Sequence, residues 1–569
     1  MRVSSVCVFV AGLLLFSSME AAGRTWHAGT APAAPSVDSL PLVTSVSQYG
    51  ITWSFDEPVR VGRFLTGDYY VVGPATVTSV SPAPTGSGSS FRNGSMLNPS
   101  VDTGAAYDGR HLNATWALNR AAPFPLEINP GDSLVSSISL DEPTFNEIIV
   151  HSGSTETTPL RTLAVLTALD EPVPRDTFRP GYADLQKDRL HRASDIPAMM
   201  WDALPRLEIP GSQPSFDWLE RAFERPWIDH VYGWGSRDMH AVENMPGYGR
   251  EVGRVVSMGG LKLMGDFTPE DKATLMYGMM QVGIDNWAIA QRGGGWPAQG
   301  GFGNGRKLPI VLAAMMLQDP DMLEIAANAP DAVYGEDQHT AWGDAWTGAD
   351  VLFTGQYPDA YASDPVAHEA RGPYEHLHPD DWPARLGEAY RRCCTSISWV
   401  GQALATMMMG AEDVWDHDPF FAYVDRWMTE DDTEHLQIIN DAGWSMTTAS
   451  WNRQGQAWDA IVNNMWAAYR DDLPDPMPRL LMGDLNLDGV VDTGDVAAFV
   501  LALTDPQAYM QQYGVDPARI GDLNADGAFD TGDVAAFVQM LVGNSAVPEP
   551  GSAALLVVGG MLLLRRRRR

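Results

Sequence analysis

A tandem repeat near the C-terminus constrains the fold of this chain more than any other feature. The first copy runs from Gly483 to Val500 and the second from Gly521 to Val538, so the period is 38 residues. Each copy opens with Gly-Asp-Leu-Asn and closes with Asp-Thr-Gly-Asp-Val-Ala-Ala-Phe-Val. Repetition at a fixed period indicates a repeated structural unit. We therefore expect two polar loops, each followed by a short amphipathic helix that packs against its twin.

Within each copy, the oxygen-bearing residues have the spacing of a calcium loop. Ca²⁺ takes six to eight oxygen ligands, and a loop of about twelve residues wraps them around the ion, with glycine at the sharp turn. Gly489 and Gly527 occupy that turn. Val490 and Ala528 would contribute backbone carbonyls. The predicted ligands of two Ca²⁺ ions are Asp484, Asn486, Asp488, Val490, Asp492, Asp495, Asp522, Asn524, Asp526, Ala528, Asp530 and Asp533.

The paired loops, closed by Asp495 and Asp533 in place of the usual glutamate, resemble type I dockerin repeats. The resemblance implies a small, paired EF-hand-like module over residues 480–545. In that family, loop positions ten and eleven contact a cohesin partner, and here they are Thr493–Gly494 and Thr531–Gly532. Because these residues are small, a cohesin-like partner remains an open alternative.

The N-terminal residues 1–22 predict a secretory signal peptide. Arg2 supplies a positive start, Val6–Phe16 form a short apolar run, and Ala21–Ala22 offer small residues for cleavage. We therefore expect the protein to be exported.

The C-terminal residues 547–569 predict a sorting segment. They combine Val547–Pro550, an apolar stretch from Ala553 to Leu564, and a terminal arginine block. The apolar stretch is shorter than the ~20 residues of a stable membrane span. The order of elements resembles the PEP-CTERM sorting signal. The resemblance implies transient membrane contact, processing by an exosortase-type enzyme, and a location at the cell surface or in the extracellular matrix; an ordinary tail anchor is the alternative.

The formal net charge of −34 at pH 7 excludes one class of partner. A surface this acidic repels phosphate backbones, so we expect no binding to nucleic acid. The same acidity favours solubility and the binding of cations.

The hydrophobic period of the middle of the chain changes once. Residues 38–170 contain short β-branched and aromatic segments such as Asp68–Val72, which predict a β-sandwich. Residues 184–475 have apolar residues at three-four spacing, which predicts helices such as Pro269–Gln291, with Thr268 before the first turn. We therefore expect a multidomain fold: an N-terminal β-sandwich, a central all-α domain arranged as an α/α toroid, and the small dockerin-like module.

A β-sandwich beside an α/α toroid resembles, at the level of architecture, polysaccharide lyases and some glycoside hydrolases. β-Elimination on a uronic-acid polysaccharide needs a group that neutralises the carboxylate, a base for the C5 proton and an acid for the leaving oxygen. The predicted catalytic residues, which supply these types where helices break, are Arg237, His240, Asn244 and Tyr248. The predicted substrate-binding residues are Trp234, Trp296, Asn304, Arg306 and Lys307.

Two other functions remain open. Glycoside hydrolysis needs two carboxylates that flank the scissile bond, and the candidates are Asp238, Glu243, Asp285 and Glu375. A non-catalytic glycan-binding or matrix protein is the other alternative. His240 is equally compatible with a structural histidine, and the glycine-rich residues 292–307 with a simple connection. These residues lack the Lys-Ser/Thr ending of a Walker motif and do not follow a predicted strand, so we do not expect a phosphate-binding loop.

The cysteines exclude a conventional disulfide scaffold. Cys7 lies in the predicted signal peptide, and Cys393 and Cys394 are adjacent, so they can form only a vicinal disulfide. Buried thiols, a local redox pair and a catalytic thiol remain alternatives. His376 and His378 have the residue type of metal ligands, but no third ligand is identifiable.

Overall fold

The computed structural model describes residues 32–101, 106–111, 122–144, 158–184, 187, 189–230, 240–355, 374–382, 386–441, 454–524 and 526–544. The predicted signal peptide and sorting segment lie outside these ranges, and so do Trp234, Arg237 and Asp238. None of the helices within the ranges is both long and apolar enough to cross a bilayer.

The first part of the described chain is a mixed β-sheet shaped as a half-barrel. Its strands are β1 (Leu42–Gln48), β2 (Ile51–Arg63), β3 (Tyr69–Val72), β4 (Ala75–Ser81), β5 (Ser95–Leu97), β6 (Leu126–Ile128), β7 (Ser133–Thr144) and β8 (Thr158–Leu169). They are hydrogen-bonded in the order β5-β7-β8-β3-β2-β4-β6, and β1 also pairs with β2.

The predicted β-sandwich is wrong, because these strands form one sheet instead of two facing sheets. The long strand β2 is the reason, since its first half pairs with β4 and its second half with β3. A bulge between Ser54 and Phe55 interrupts the pairing of β2 with β4, and such bulges bend a strand. β3 and β8 then run parallel, with Tyr69 beside Leu166. The strands that a sandwich would place in two layers are thus joined by hydrogen bonds.

Helices dominate the remainder of the described chain. They are α1 (Ala198–Ala203), α2 (Phe216–Phe223), α3 (Gly249–Leu263), α4 (Pro269–Gln291), α5 (Lys307–Leu317), α6 (Pro320–Leu323), α7 (Ile325–Asn328), α8 (Gly335–Gln338), α9 (Leu386–Tyr390), α10 (Ser396–Met409), α11 (Glu412–Trp415), α12 (Asp418–Thr429), α13 (Thr433–Asp441), α14 (Ala460–Tyr469), α15 (Val496–Thr504), α16 (Pro506–Tyr513), α17 (Ala518–Gly521) and α18 (Val534–Asn544). The short strands among them are β9 (Gly295–Trp296), β10 (Val333–Tyr334), β11 (Thr340–Trp342) and β12 (Val351–Phe353).

The predicted α/α toroid is also wrong. α3, α4, α5 and α10 pack against one another as a buried centre, and shorter helices and two two-stranded sheets surround them in the described ranges. The predicted helix Pro269–Gln291 is confirmed as α4, and Thr268 Oγ1 accepts a hydrogen bond from Asp271 N at 3.2 Å. Three-four spacing thus identifies a helix, but it does not determine whether helices pair into a ring or bury one another on all sides.

The sheet and the central helices share one core. Val135 and Leu163 of the sheet belong to the same apolar cluster as the residues of α3, α4 and α5. A buried ion network joins the two parts as well: Arg179 donates to Asp68 Oδ2 at 2.8 Å and to Asp285 Oδ2 at 2.6 Å. Asp68 precedes β3, whereas Asp285 lies in α4. Apolar and ionic contacts therefore fix the sheet against the helices.

Residues 480–544 have a smaller core of their own. α15 and α18, one after each repeat copy, pack through Phe499 and Phe537, whose rings are stacked 4.1 Å apart. Tyr509 of α16 donates a hydrogen bond to the carbonyl of Leu485 at 2.7 Å. These contacts hold α15 and α18 together and fix α16 to the first repeat loop.

Candidate functional site

The glycine-rich residues 292–307 thread between α3 and the π-helical turn Arg391–Thr395. A Cβ at Gly249 would lie 1.9 Å from the carbonyl oxygen of Gly301, and a Cβ at Gly301 would lie 2.4 Å from that of Cys394. Only residues without side chains allow such close approach of three backbone segments. The glycines are therefore needed for packing, and they bring Gly301 of the glycine-rich loop next to Tyr248.

Tyr248 immediately precedes α3 and is 9% exposed. Its phenol oxygen accepts a hydrogen bond from Gly301 N at 3.1 Å, and its ring meets Phe302 edge-on with centroids 4.8 Å apart. Burial raises the pKa of the phenol well above its ordinary value, and Tyr390 raises it further. Tyr248 is therefore protonated at neutral pH, and its phenol is a weaker acid than that of an exposed tyrosine.

Tyr248, Phe302, Tyr390, Cys393 and Cys394 form a separate apolar cluster, which we call the Tyr248 cluster. Tyr390 and Cys393 are half-buried, so the cluster reaches the protein surface. The two cysteines form a vicinal disulfide, and neither is a free nucleophile in this state.

A cationic and aromatic border lies beside the Tyr248 cluster. The guanidinium carbon of Arg250 lies 5.5 Å from the centroid of the Tyr248 ring and 4.9 Å from that of Trp458. Arg250 donates to the carbonyl of Cys393 at 3.0 Å and to Glu251 Oε1 at 2.7 Å. Trp458 is half-buried. Arg250 is itself 3% exposed and paired with Glu251, so the half-buried rings of Tyr390 and Trp458 are the accessible part of this border, and rings of this type stack on the faces of a sugar.

The predicted catalytic and substrate-binding residues do not include Arg250, Tyr390 or Trp458. Arg250 and Tyr390 belong to two polar and aromatic stretches of the sequence, 230–250 and 374–392, where the helical spacing breaks, and this position singles them out as candidates. Trp458 lies far along the chain, and its aromatic type is its only local signal.

His240 and Asn244 face the interior and are 1% and 0% exposed. The His240 ring packs on Gly247, where a Cβ would lie 2.6 Å from Nε2. Asn244 Nδ2 donates to the carbonyl of Arg225 at 3.1 Å. Both side chains support the turn that leads to Tyr248, and the structure does not bring them to the surface of the Tyr248 cluster.

The predicted substrate-binding residues within the described ranges are also buried. Arg306 donates to Asp229 Oδ2 at 2.6 Å, and Lys307 donates to Asp337 Oδ2 at 2.5 Å. Trp296 packs against Tyr334 with ring centroids 5.8 Å apart. Asn304 Nδ2 donates to the carbonyl of Cys394 at 2.8 Å. These contacts hold the glycine-rich loop in place and occupy the charges that were predicted to bind a carboxylate.

The carboxylates proposed for hydrolysis are paired with arginine wherever the structure describes them. Arg161 donates to Glu243 Oε1 at 2.7 Å, and Arg225 also pairs with Glu243. Asp285 is held by Arg179. Glu375 is fully buried between Arg391 and Arg426. The ion pairs engage all three carboxylates, so none of them is free to act on a glycosidic bond.

Glu336 lies beneath the glycine-rich loop and is fully buried. Its Oε1 accepts hydrogen bonds from Gly305 N at 2.6 Å and Gln402 Nε2 at 3.1 Å. Within the described ranges, no donor reaches Glu336 Oε2 or Gln402 Oε1. Burial raises the pKa of Glu336 to about 7 from its ordinary 4.5. The buried carboxylate therefore opposes folding when it is ionised.

We expect Glu336→Gln to stabilise the protein at pH 8 by ~1–3 kcal/mol. A raised pKa in the folded state means that the contribution of the carboxyl to stability is complete below about pH 4.5 and is lost as the pH rises through about 7. Denaturant unfolding of both proteins between pH 5 and 8 measures the difference, which should shrink towards pH 5. A variant that is less stable than wild type at pH 8 would show that Glu336 has a cationic partner.

The first repeat loop closes around its own side chains. Asp484 accepts from Asp488 N at 3.2 Å and from Gly489 N at 2.8 Å. Asp495 accepts from Asn486 N and Asp492 N, each at 2.9 Å. Burial raises the pKa of Asp484, and the nearby Asp495 carboxylate raises it further. A cation within the loop would relieve this repulsion.

The second loop repeats these bonds. Asp522 accepts from Asp526 N at 3.2 Å and from Gly527 N at 2.9 Å. Asp533 accepts from Asn524 N at 3.1 Å and Asp530 N at 2.9 Å. Gly489 and Gly527 have φ values of 85° and 87°. The two loops therefore share one hydrogen-bond pattern. In each loop, the side chains of the first and the last aspartate accept hydrogen bonds from backbone amides of the same loop.

The predicted donor set fits Ca²⁺ in its chemistry. The described residues contain no group of three or more His, Cys, Asp or Glu side chains that could hold a metal. Each predicted set contains four aspartates, one asparagine and one backbone carbonyl, so the donor types suit Ca²⁺ although the described carboxylates are not gathered into such a group. Oxygen donors of mixed type are what Ca²⁺ takes in twelve-residue loops.

Comparison with known proteins gave no match of this chain to a protein-family model, to a curated protein or to a solved structure.

Proposed function

We propose that this chain is an exported, surface-associated protein that acts on a uronic-acid polysaccharide at the Tyr248 cluster, by β-elimination, and binds two Ca²⁺ ions in its C-terminal loops. The observation that carries the catalytic part is the protonated phenol of Tyr248 beside Arg250 at a partly exposed aromatic surface. The observation that carries the calcium part is the matching set of hydrogen bonds in two loops of identical spacing.

In this proposal, Tyr248 donates its proton to the glycosidic oxygen on C4 of the uronic acid. A base removes the C5 proton, the C5–H electrons form the C4–C5 double bond, and the C4–O bond breaks with its electrons on the oxygen that Tyr248 protonates. Tyr390, the other phenol of the cluster, is our candidate for the base. The guanidinium of Arg250 attracts the substrate carboxylate and the negative charge that develops next to it.

The arginine-paired carboxylates favour elimination over hydrolysis. An inverting or retaining hydrolase needs one carboxylic acid that is protonated and a second carboxylate that is free to act. Glu243, Asp285 and Glu375 are each held in ion pairs instead. Elimination needs no carboxylate pair.

A polysaccharide panel tests the catalytic proposal. The full chain is incubated with uronic-acid and neutral polysaccharides, and the ultraviolet absorbance of unsaturated uronates and the release of reducing ends are both followed. New absorbance supports elimination. Reducing ends without new absorbance indicate a hydrolase, and binding without any product indicates a glycan-binding or matrix protein.

We expect the full chain to bind two Ca²⁺ ions, and Asp484→Ala or Asp522→Ala to remove one ion each. Each substitution deletes the first ligand of its loop and the acceptor of two loop amides. Titration calorimetry measures the stoichiometry. Asp471→Ala, at an exposed aspartate outside the loops, is the matched control and should bind as wild type does. Unchanged stoichiometry in both loop variants would refute the site assignment.

The exported location and the partners follow from the sequence signals. We propose transient membrane contact and exosortase-type processing through residues 547–569. The residues at loop positions ten and eleven, Thr493–Gly494 and Thr531–Gly532, are exposed, so a cohesin-like partner would find them accessible.

A further inference from the structure

The segment between the two repeat loops holds residues 480–544 against the central helices. Arg519, in α17, donates hydrogen bonds to the carbonyls of Asp195 and Leu317, and a weaker one to Gln318 at 3.4 Å. Leu317 is the last residue of α5, and Gln318 follows it in the left-handed region at φ 51°. The final carbonyls of a helix have no partner within the helix and lie at its negative end. Arg519 therefore caps α5 from a distant part of the chain.

The residues next to Arg519 lead directly into both loops. The carbonyl of Ile520 accepts a hydrogen bond from Gly483 N at 2.7 Å, and Asp484 of the first loop follows Gly483. Ile520 itself is 1% exposed. Asp522, the first predicted ligand of the second loop, is only three residues after Arg519. Four consecutive residues therefore connect the helix α5, the first loop and the second loop.

Further contacts extend this interface along residues 479–482. Leu480 N donates to Gln318 Oε1 at 2.7 Å, and Arg479 pairs with Asp413. Met199 and Leu480 pack against both the main core and the smaller core. The C-terminal module is thus docked on the body of the protein, and the end of α5 is the centre of its docking surface.

We propose that Arg519 couples calcium uptake by the second loop to the docking of the C-terminal module on α5. This inference rests on the proposed calcium binding. Without Ca²⁺, the aspartates of the second loop repel one another, and the segment that fixes Arg519 loses its support. With Ca²⁺, the loop holds Asp522, and Arg519 is positioned for the α5 carbonyls. Coupling of this kind is reciprocal, so docking must strengthen calcium binding by the factor by which calcium strengthens docking.

Arg519→Gln in the full chain tests the coupling. Titration calorimetry should show that the affinity of one of the two Ca²⁺ sites falls by about 5-fold or more, while the other is retained. Hydrogen exchange of residues 313–319 should slow when Ca²⁺ is added to wild type and should not slow in Arg519→Gln. Arg63→Gln is the matched control, because Arg63 stacks on Tyr69 at the far sheet and should leave both measurements unchanged.

Asp522→Ala provides the reciprocal measurement at the other end of the coupling. Asp522 makes its hydrogen bonds within its own loop, yet its loss should speed hydrogen exchange of residues 313–319 in the presence of Ca²⁺. Two results together would overturn the coupling: wild-type calcium affinities in Arg519→Gln, and hydrogen exchange at α5 of the wild-type protein that does not respond to Ca²⁺. The proposal that the loops bind calcium would be unaffected by these results. Absence of calcium uptake by wild type would instead reject the calcium proposal itself.

Discussion

Arg179→Met should destabilise the protein by ~3–5 kcal/mol, because it leaves two buried carboxylates without their cation. The guanidinium of Arg179 is fully buried and donates to Asp68 at 2.8 Å and to Asp285 at 2.9 and 2.6 Å. Burial raises the pKa of Asp285, and the guanidinium opposes that rise. The same arginine joins the sheet to α4, so its loss weakens the packing of the two parts. Denaturant unfolding measures the change.

Two further variants separate the charge effect from lost packing. Arg63→Met removes an exposed arginine that stacks on Tyr69, and it should change stability by less than about 1 kcal/mol. Combining Arg179→Met with Asp68→Asn and Asp285→Asn removes the uncompensated charges, and it should recover part of the loss. If the triple variant is less stable than Arg179→Met alone, repulsion between buried carboxylates is not the cause of the destabilisation.

Local sequence signals predicted single elements well and their partners poorly. The capping residues and apolar spacing of Pro269–Gln291 predicted α4 with both ends correct. Asp68–Val72 was predicted as a strand and contains β3. The parallel pairing of β3 with β8 was not predictable, because strand alternation gives the face of each side chain and not the identity of the neighbouring strand. The predictions of a β-sandwich and of an α/α toroid were wrong because both depend on which elements lie next to each other.

The candidate site shows the same limit. Tyr248 could be identified from its residue type at the start of a helix. Whether the side chains of Arg306 and Lys307 point to the surface or to the interior could not be predicted. Their partners, Asp229 and Asp337, come from distant parts of the chain and turn both cations into the interior. A charged residue next to a glycine-rich loop has the same local sequence whether it faces a substrate or a buried carboxylate.

The interactions of the repeat-loop aspartates are local, and the calcium sites built from them stay a prediction. The hydrogen bonds described above for the loop aspartates join residues of the same twelve-residue segment. Spacing therefore determines their conformation. The contact between Arg519 and the end of α5 joins residues about two hundred positions apart, and spacing contains no information about it.

Tyr248→Phe should lower the rate of elimination by about 10²–10⁴-fold, the range expected for loss of a positioned proton donor. The substitution keeps the ring that packs on Phe302, and it removes the oxygen that accepts from Gly301 N. The stability should fall by only ~1 kcal/mol, because one hydrogen bond is lost. Steady-state kinetics on the polysaccharide that gives unsaturated product measures the rate, and denaturant unfolding confirms that the variant is folded.

Tyr107→Phe is the matched control for Tyr248→Phe. Tyr107 is fully buried, belongs to the main core and not to the Tyr248 cluster, and its hydroxyl has no hydrogen-bond partner among the described residues. Its loss should leave the rate of elimination unchanged. If Tyr248→Phe retains the wild-type kcat and only KM rises, Tyr248 binds substrate without donating the proton. If kcat falls while binding of the polysaccharide is retained, the phenol acts in the transition state, because a group that binds substrate and transition state equally does not change kcat.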